Sequence, residues 1–549
     1  MLTKNMMYYG VDEVISKLIP LRAGPLNLFF ENNGLRYIHY GEHEVIRRVY
    51  VAVRDRNWDT VPSQVSNLKL EVQEDSFRIN LEMICQQDEI DFRWLGQIEG
   101  WENGCIQFSM YGQAYTEFWR NRIGFCVLYP IEGCAGQPCE IEKVDGSLEW
   151  AQFPLWIAPH QPFKDLRAIS HQVAPGVKAE VRLEGDIFEM EDQRNWSDFS
   201  FKTYSTPLAL PFPVKVKIGE RVAQKVQLQL KGEVVRVDEV IESCETVDIS
   251  ISPELLKPFP LLGLGIASHE NPLSPTEIER LRVLNLHHLR VDLHLGTPTW
   301  HSQLERAIHQ AHAIGIQLEI GLHLSDDPKG ELESIRELIN HWNPEVARWL
   351  VYHQEEPCTD LKWVNLAREV LGSYGEWIPF GCGAYANFTE LNRGLKPEAL
   401  SLSLSHPDFL VYAVNPQVHA IDNLSLVENL AGLGSTVRSA KRIAGDRAVV
   451  VSPVTLKPRF NVVATEPQRK PDPNRLPPTV DPRQMSLFGA GWTLGALKYL
   501  AENSTQSATF YETTGWRGVM EAENGSPMPG LFRSIPGMVF PLYYIFADV

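Results

Sequence analysis

The chain has 549 residues, 44% of them hydrophobic and 22% charged, with a formal net charge of −18. This is globular composition with room for two or three domains. The acidity disfavours non-specific nucleic-acid binding, and no run of Lys and Arg marks a phosphate-backbone groove. No stretch of about 18 apolar residues occurs, so no membrane span is expected. The start, MLTKNMMYYGVDEVISKL, lacks the apolar core and cleavage site of a secretory signal. Of the eight cysteines (Cys85, Cys105, Cys126, Cys134, Cys139, Cys244, Cys358 and Cys382), none forms a Cys-x-x-Cys pair. In a large chain without an export signal they read as free thiols, which points to the cytoplasm.

From about residue 25 to 250 the chain reads as strands. LNLFF, LRYIHY, VIRRVYVAVR, FRINLEMIC, CIQFSMYG and KAEVRLEG are short, β-branched or aromatic, and often alternate. Asn33-Gly34 and Asn103-Gly104 fit tight turns. A β-sandwich-like, all-β domain over residues 1–255 is the expected architecture. Near Pro253 the pattern changes to strands alternating with amphipathic helices. LLGLGIAS, HHLRVDLHL, IQLEIGLHL, ARWLVYHQEE, WIPFGCGAY, FLVYAVNPQVHA, RAVVVSPVTL and SATFYETTG are eight successive strands. Helices SPTEIERLRVL, TWHSQLERAIHQAHAIG, KGELESIRELINHW and others lie between them, and GMVFPLYYIFADV forms the last. No Gly-x-Gly-x-x-Gly follows the first strand, and eight similar units close naturally into a (β/α)8 TIM barrel, expected over residues 256–549.

Barrel active sites lie at the C-terminal ends of the strands, and that rule selects residues directly. Strand one offers His269 and Glu270, and strand two Arg290, Asp292 and His294. Strand three offers His323, Asp326 and Asp327, and strand four Tyr352, His353, Glu355 and Glu356. Strand five offers Tyr385 and Asn387, and strand six Asn415, Gln417 and His419. Strand seven offers Thr455, Lys457 and Arg459, and strand eight Tyr511, Glu512, Trp516 and Arg517. A mouth of aromatics, carboxylates and bidentate hydrogen-bonders suits a polyol. The catalytic candidates are Glu356, Glu512 and His419: two carboxylates facing across a pocket can divide base and acid work. Glu355, Asn415, Lys457, Arg459, Arg290, Asp292, His323, Tyr385 and Trp516 are the candidate substrate-binding residues. His269, His294 and His323 each follow a strand, but His-Glu-x-x-His is missing and no His-x-His ends a strand, so no metal or other cofactor is expected. His287, His288, His301, His309 and His312 read as structural.

Barrel glycosidases commonly end strand four in Asn-Glu-Pro and strand seven in a second Glu. Here Glu355 occupies the Asn place and the second Glu falls on strand eight. The polar segment FEMEDQRNWSDFSFKTYSTPLALPFP, beginning at Phe188, reads as an edge or domain-contact segment reaching toward the barrel mouth. Its wording resembles the D-apionate lactonase family, as do VAPGVKAEVRLEGDIFEM, NPQVHAIDNLSLVENL, TLKPRFN and PGMVFPLYYIFADV, so that the similarity runs from about residue 120 to the C-terminus. The resemblance implies an N-terminal β domain, a barrel, and hydrolysis of the five-membered aldonolactone of a branched pentose. It also implies a small C-terminal β domain, which the sequence as given does not extend into.

The expected reaction is water attack on a lactone carbonyl. Glu356 or Glu512 acts as base, the other or His419 protonates the leaving oxygen, and Lys457, Arg459 and Asn415 hold the oxyanion and hydroxyls. The expected partner is a small sugar lactone or sugar acid. The alternatives are a TIM-barrel glycoside hydrolase using paired Glu residues, and a non-catalytic sugar-binding protein.

Overall fold

The computed structural model describes residues 3–12, 17–236, 258–375, 377–395, 406–464 and 472–549. The expected domain boundary at 255/256 and Cys244 lie outside them, as do residues 465–471 of the proline-rich stretch before Pro482.

Seventeen strands between Ile19 and Gly232 join in one antiparallel hydrogen-bonded network. The sequence alternation explains it. Along Phe77–Gln87, Phe77, Ile79, Leu81, Met83 and Cys85 are buried while the residues between them are largely exposed, and Phe77–Gln87 pairs throughout with Ile90–Gly100. A single-sided core follows, in which Phe92, Phe108, Phe125 and Phe153 are fully enclosed. The turn after Leu26–Glu31 uses Asn32 and Asn33, one residue earlier than the Asn-Gly pair suggests, because Glu31 pairs with Gly34. Asn32 takes the left-handed conformation (φ 52°).

The barrel strands are β1 (Leu261–Gly265), β2 (His288–His294), β3 (Gln317–Leu324), β4 (Val346–His353), β5 (Phe380–Ala384), β6 (Phe409–Val414), β7 (Ala448–Val454) and β8 (Ser507–Thr514). Every neighbour pairs in parallel, and β1 closes on β8 through Leu261↔Ser507. Helices α1 (Pro275–Val283), α2 (Trp300–Ile314), α3 (Pro328–Trp342), α4 (Leu361–Leu371), α5 (Phe388–Gly394), α6 (Leu430–Ala444), α7 (Leu487–Glu502) and α8 (Pro541–Ala547) follow the eight strands in turn. No helix among the described residues is long and apolar enough to cross a membrane.

The barrel interior is unusually polar. On β2 the apolar Leu289, Val291 and Leu293 join the core that includes the surrounding helices. The alternate residues His288, Arg290 and Asp292 take part in polar contacts inside the barrel instead. Glu319 of β3 is fully buried there, within 3.5–3.8 Å of Arg348, His288 and Arg290. Ser452 bridges Glu319 to Arg290, and Thr509 bonds Glu319 at 2.9 Å. Burying so many charges is tolerable only because each is paired. His288 therefore serves the interior of the barrel, in keeping with a structural role.

The two domains meet along a polar seam. Arg36, 1% exposed, pairs with Glu31 of its own domain and with Asp422 and Glu428 of the barrel at 2.7–3.0 Å. Asp198 accepts from Asn429 (2.8 Å) and bonds His419 (2.6 Å), and Asn392 donates to Asn195 (2.9 Å).

Candidate active site

A cavity of 390 Å³ opens at the C-terminal ends of β1, β2, β7 and β8. Among the residues expected to bind or act, Glu512, Arg290, Asp292, Tyr385, Lys457, Arg459 and Trp516 line it. The local structure fixes each of them. Glu512 stands near the end of β8, where one oxygen accepts from the Ser268 backbone N–H (2.8 Å) and the other pairs with Arg517 (2.6 Å). The loop that returns Arg517 is closed by the Glu512 N–H donating to the Arg517 carbonyl at 3.0 Å, so the pair is held by backbone as well as charge.

Across β1, Asp292 receives two bonds from Arg290 (2.7 and 3.1 Å) and lies 3.2 Å from His323 Nε2. Burial alone would raise its pKa. Arg290 and His323 outweigh that and hold it well below the usual carboxylate range. Gly321 on β3 makes the arrangement possible: a Cβ there would fall 2.4 Å from an Asp292 oxygen. His323 does not line the cavity but sits beside it, bonded to Asp292 and stacked between His294 (4.3 Å) and Tyr352 (5.0 Å). Burial brings it down to about 4 despite Asp292. Tyr385 packs against Phe460 (5.2 Å) and under the Arg459 guanidinium (4.0 Å), which also donates to the Tyr385 carbonyl. Burial raises the Tyr385 phenol, against the effect of Arg459.

Four expectations are corrected by geometry. Glu356 does not face Glu512. Its oxygens accept from the Asp360 N–H (2.9 Å) and Trp363 Nε1 (2.9 Å), so it closes the loop into α4 instead of lining the cavity. Glu355 is exposed outside the cavity. Asn415 is buried beneath the mouth, where it donates to Asn387 (3.3 Å) and accepts from the Gln417 N–H. His419 belongs to the domain seam. It lies between Asp198 and Glu191 with Trp196 alongside, because β6 ends at Val414 and the chain then turns toward the N-terminal domain. Burial pushes Asp198 up to about 7 and His419 down. The segment around Trp196 likewise makes the domain contact and does not reach the cavity.

Several further lining residues were not among the chosen candidates, His294, Gln303, Arg306 and Asp481 among them. His294 is the fourth alternate residue of β2, and no hydrogen bond engages its ring among the described residues. Its position was legible from the alternation HHLRVDLH. Gln303 and Arg306 come from α2, where a rule based on strand ends cannot find them. Arg306 donates to the carbonyls of His269 and Ala267, and burial lowers its pKa. No cluster of three or more His, Cys, Asp or Glu among the described residues is arranged to hold a metal ion.

The N-terminal domain of D-apionate lactonase matches residues 6–233, and the TIM barrel domain of D-apionate lactonase matches residues 262–549. A D-apionate lactonase of Brucella anthropi is 31% identical over 542 residues, covering 95% of this chain and 87% of that protein. Among solved structures, a β-arabinopyranosidase aligns at 9% identity over 69% of this chain and 67% of its own, with TM-score 0.27. A family 39 glycoside hydrolase from Bacteroides cellulosilyticus WH2 aligns at 10% identity over 76% and 77%, with TM-score 0.33. Neither of these distant likenesses bears on function. The two matched domains and the Brucella relative do bear on kinship: this chain belongs to the D-apionate lactonase family.

Proposed function

We propose that the protein hydrolyses a sugar-acid lactone, D-apionolactone in the first instance, to the open-chain acid. The observation that carries this reading is the cavity itself: it places the Glu512 carboxylate, the His294 imidazole, which has no hydrogen bond among the described residues, and several cations around a space for a small ligand. Its volume lies at the small end of the range for small-molecule pockets, about 300–1,000 Å³, which favours a single sugar over an extended glycan.

Glu512, oriented by Ser268 and Arg517, takes a proton from water as its oxygen attacks the lactone carbonyl carbon. Lys457 and Arg459 face the oxyanion that develops. When the bond from the carbonyl carbon to the ring oxygen breaks, His294 protonates that oxygen, leaving a carboxylic acid and a free hydroxyl; the acid then gives its proton back to His294 and becomes the carboxylate, and Glu512 releases its proton to solvent. Trp516 and Tyr385 offer apolar faces to the sugar C–H groups. A retaining or inverting glycosidase needs two working carboxylates. The other lining carboxylates, Asp292 and Asp481, each have both oxygens bound by one arginine, Arg290 and Arg483, whereas Arg517 pairs with a single oxygen of Glu512, which favours lactone opening. The seven described cysteines are free, in keeping with work in the reducing cytoplasm.

The test is incubation with a panel of aldonolactones and nitrophenyl glycosides, following acid and nitrophenolate release together. Acid release from aldonolactones alone is expected. Glu512→Gln should lower kcat by at least about a hundredfold, the scale of general base catalysis, and His294→Gln should lower it in the same direction. Nitrophenolate release without lactone opening would overturn the reading.

A further inference from the structure

The charges lining the cavity do not balance. Its three carboxylates each have their own arginine: Asp292 has Arg290, Glu512 has Arg517, and Asp481 has Arg483 from outside the lining. The remaining cations are Arg306, Lys457 and Arg459. Among the described residues, Lys457 and Arg306 have no carboxylate within 4.0 Å, and Arg459 approaches only the already satisfied Asp292, at 3.8 Å. Arg306 is fastened by two backbone carbonyls and Arg459 by the Tyr385 carbonyl and ring, so their positions are set without any counter-charge. In a chain of net charge −18, this cavity holds an excess of positive charge, with Arg459 sharing Asp292 with Arg290 and neither Lys457 nor Arg306 within 4.0 Å of a carboxylate among the described residues, which an anionic ligand would balance.

A neutral lactone supplies no such charge. A transient oxyanion supplies one only for the lifetime of the intermediate, whereas the ring-opened acid carries a permanent carboxylate.

We infer that the cavity is a binding site for the sugar acid itself, with Lys457, Arg306 and Arg459 seating its carboxylate, so that the product is held more tightly than the neutral substrate and inhibits competitively. The acid site itself rests on the hydrolase reading only in taking the ligand to be a sugar, while the product inhibition rests on that reading entirely. It implies that a reaction consuming a free aldonate must follow promptly to keep the site open.

The experiment is a calorimetric titration of the intact protein with D-apionate and with the corresponding alditol, in which the carboxylate is replaced by a neutral hydroxymethyl group. D-xylonate and xylitol serve as a second pair. The acid is expected to bind about 10- to 100-fold more tightly than its alditol, the worth of one or two hydrogen bonds to a charged group, and the advantage should shrink as salt rises. Lys457→Met should remove about tenfold of the acid's affinity and leave the alditol's unchanged, and Lys457→Arg should restore most of it. Among the described residues no ion pair or hydrogen bond engages the Lys457 ammonium, so Lys457→Met is expected to fold, which thermal unfolding checks.

Equal binding of acid and alditol in both pairs, or equal losses of both in Lys457→Met, overturns the inference. Selective acid binding by a protein that opens no lactone upholds the anion site while refuting the hydrolase. Lactone opening with charge-blind binding does the reverse.

Discussion

At the scale of single residues, two carboxylates on the same cavity should respond differently to loss of charge. Asp292 neutralises Arg290, a guanidinium only 2% exposed whose next carboxylate is Glu319 at 3.8 Å. Asp292→Asn strands that cation, and breaking a buried pair from one side costs about 3–5 kcal/mol. Urea unfolding at pH 7 should show that loss. Glu512→Gln keeps the amide-sized side chain next to Arg517, which is 27% exposed and can recruit water. Its stability should change by less than about 1 kcal/mol while turnover collapses. A destabilised Glu512→Gln, or an Asp292→Asn as stable as the parent, would reverse this division between framework and chemistry. The same contrast explains why Glu356 misled from sequence. A Glu after strand four is equally compatible with a helix entry and with a pocket, and only the positions of the Asp360 N–H and Trp363 decide between them.

At the scale of elements, legibility followed periodicity. The eight βα units, with helices such as Trp300–Ile314 and Pro328–Trp342, stood out because apolar positions recur at the spacing each element requires. β2 carried a second message: its polar residues occupy every other position, which on a barrel strand means they face inward together. That message places Arg290, Asp292 and His294 in one column and needs no alignment. What the pattern could not convey is where a loop goes after its strand ends. β6 stops at Val414, five residues before His419, and those residues carry the imidazole to the other domain. Gly321 is legible only in three dimensions. Its missing Cβ makes room for Asp292, and Gly321→Ala would set a methyl 2.4 Å from the carboxylate oxygen. Since β3 is hydrogen-bonded on both sides, the side chain must give way. Gly321→Ala should cost about 1–3 kcal/mol, as overpacking does, and should lower kcat/KM by tilting Asp292 away from Arg290. Unaltered kinetics would mean that Asp292 does not shape the site.

For the whole molecule, the seam and the buried histidines determine how stability varies. Arg36→Met leaves Glu31, Asp422 and Glu428 without their common cation, so it should cost about 3 kcal/mol or more, seen as a lower thermal midpoint. The pH dependence has a separate origin. Burial brings His171 down to about 4, His288 to about 3 and His323 to about 4 from an ordinary value of 6.5. Between about 4 and 6.5 the unfolded chain binds a proton at each position and the folded one does not. Unfolding therefore takes up protons, and stability falls as the pH falls through that window, by about 1.4 kcal/mol per unit for each histidine. Asp198 and Glu390, both pushed up to about 7 by burial, bind protons preferentially in the folded state and act in the opposite sense. The total slope thus mixes signs, and a single histidine must be isolated by difference. His171 is suited to this. It is 3% exposed in the N-terminal core, far in sequence from the cavity residues, with its ring 5.7 Å from Phe153 and 5.9 Å from Tyr129. His171→Phe keeps an aromatic ring there and removes the titration. Between pH 6.5 and 5 the parent should lose about 1.6 kcal/mol more than His171→Phe in urea unfolding, the worth of a single depressed imidazole that is half protonated in the unfolded chain at the upper pH. Parallel pH profiles for the two proteins would show that His171 titrates in the folded state as it does in the unfolded chain, and that burial does not govern its charge.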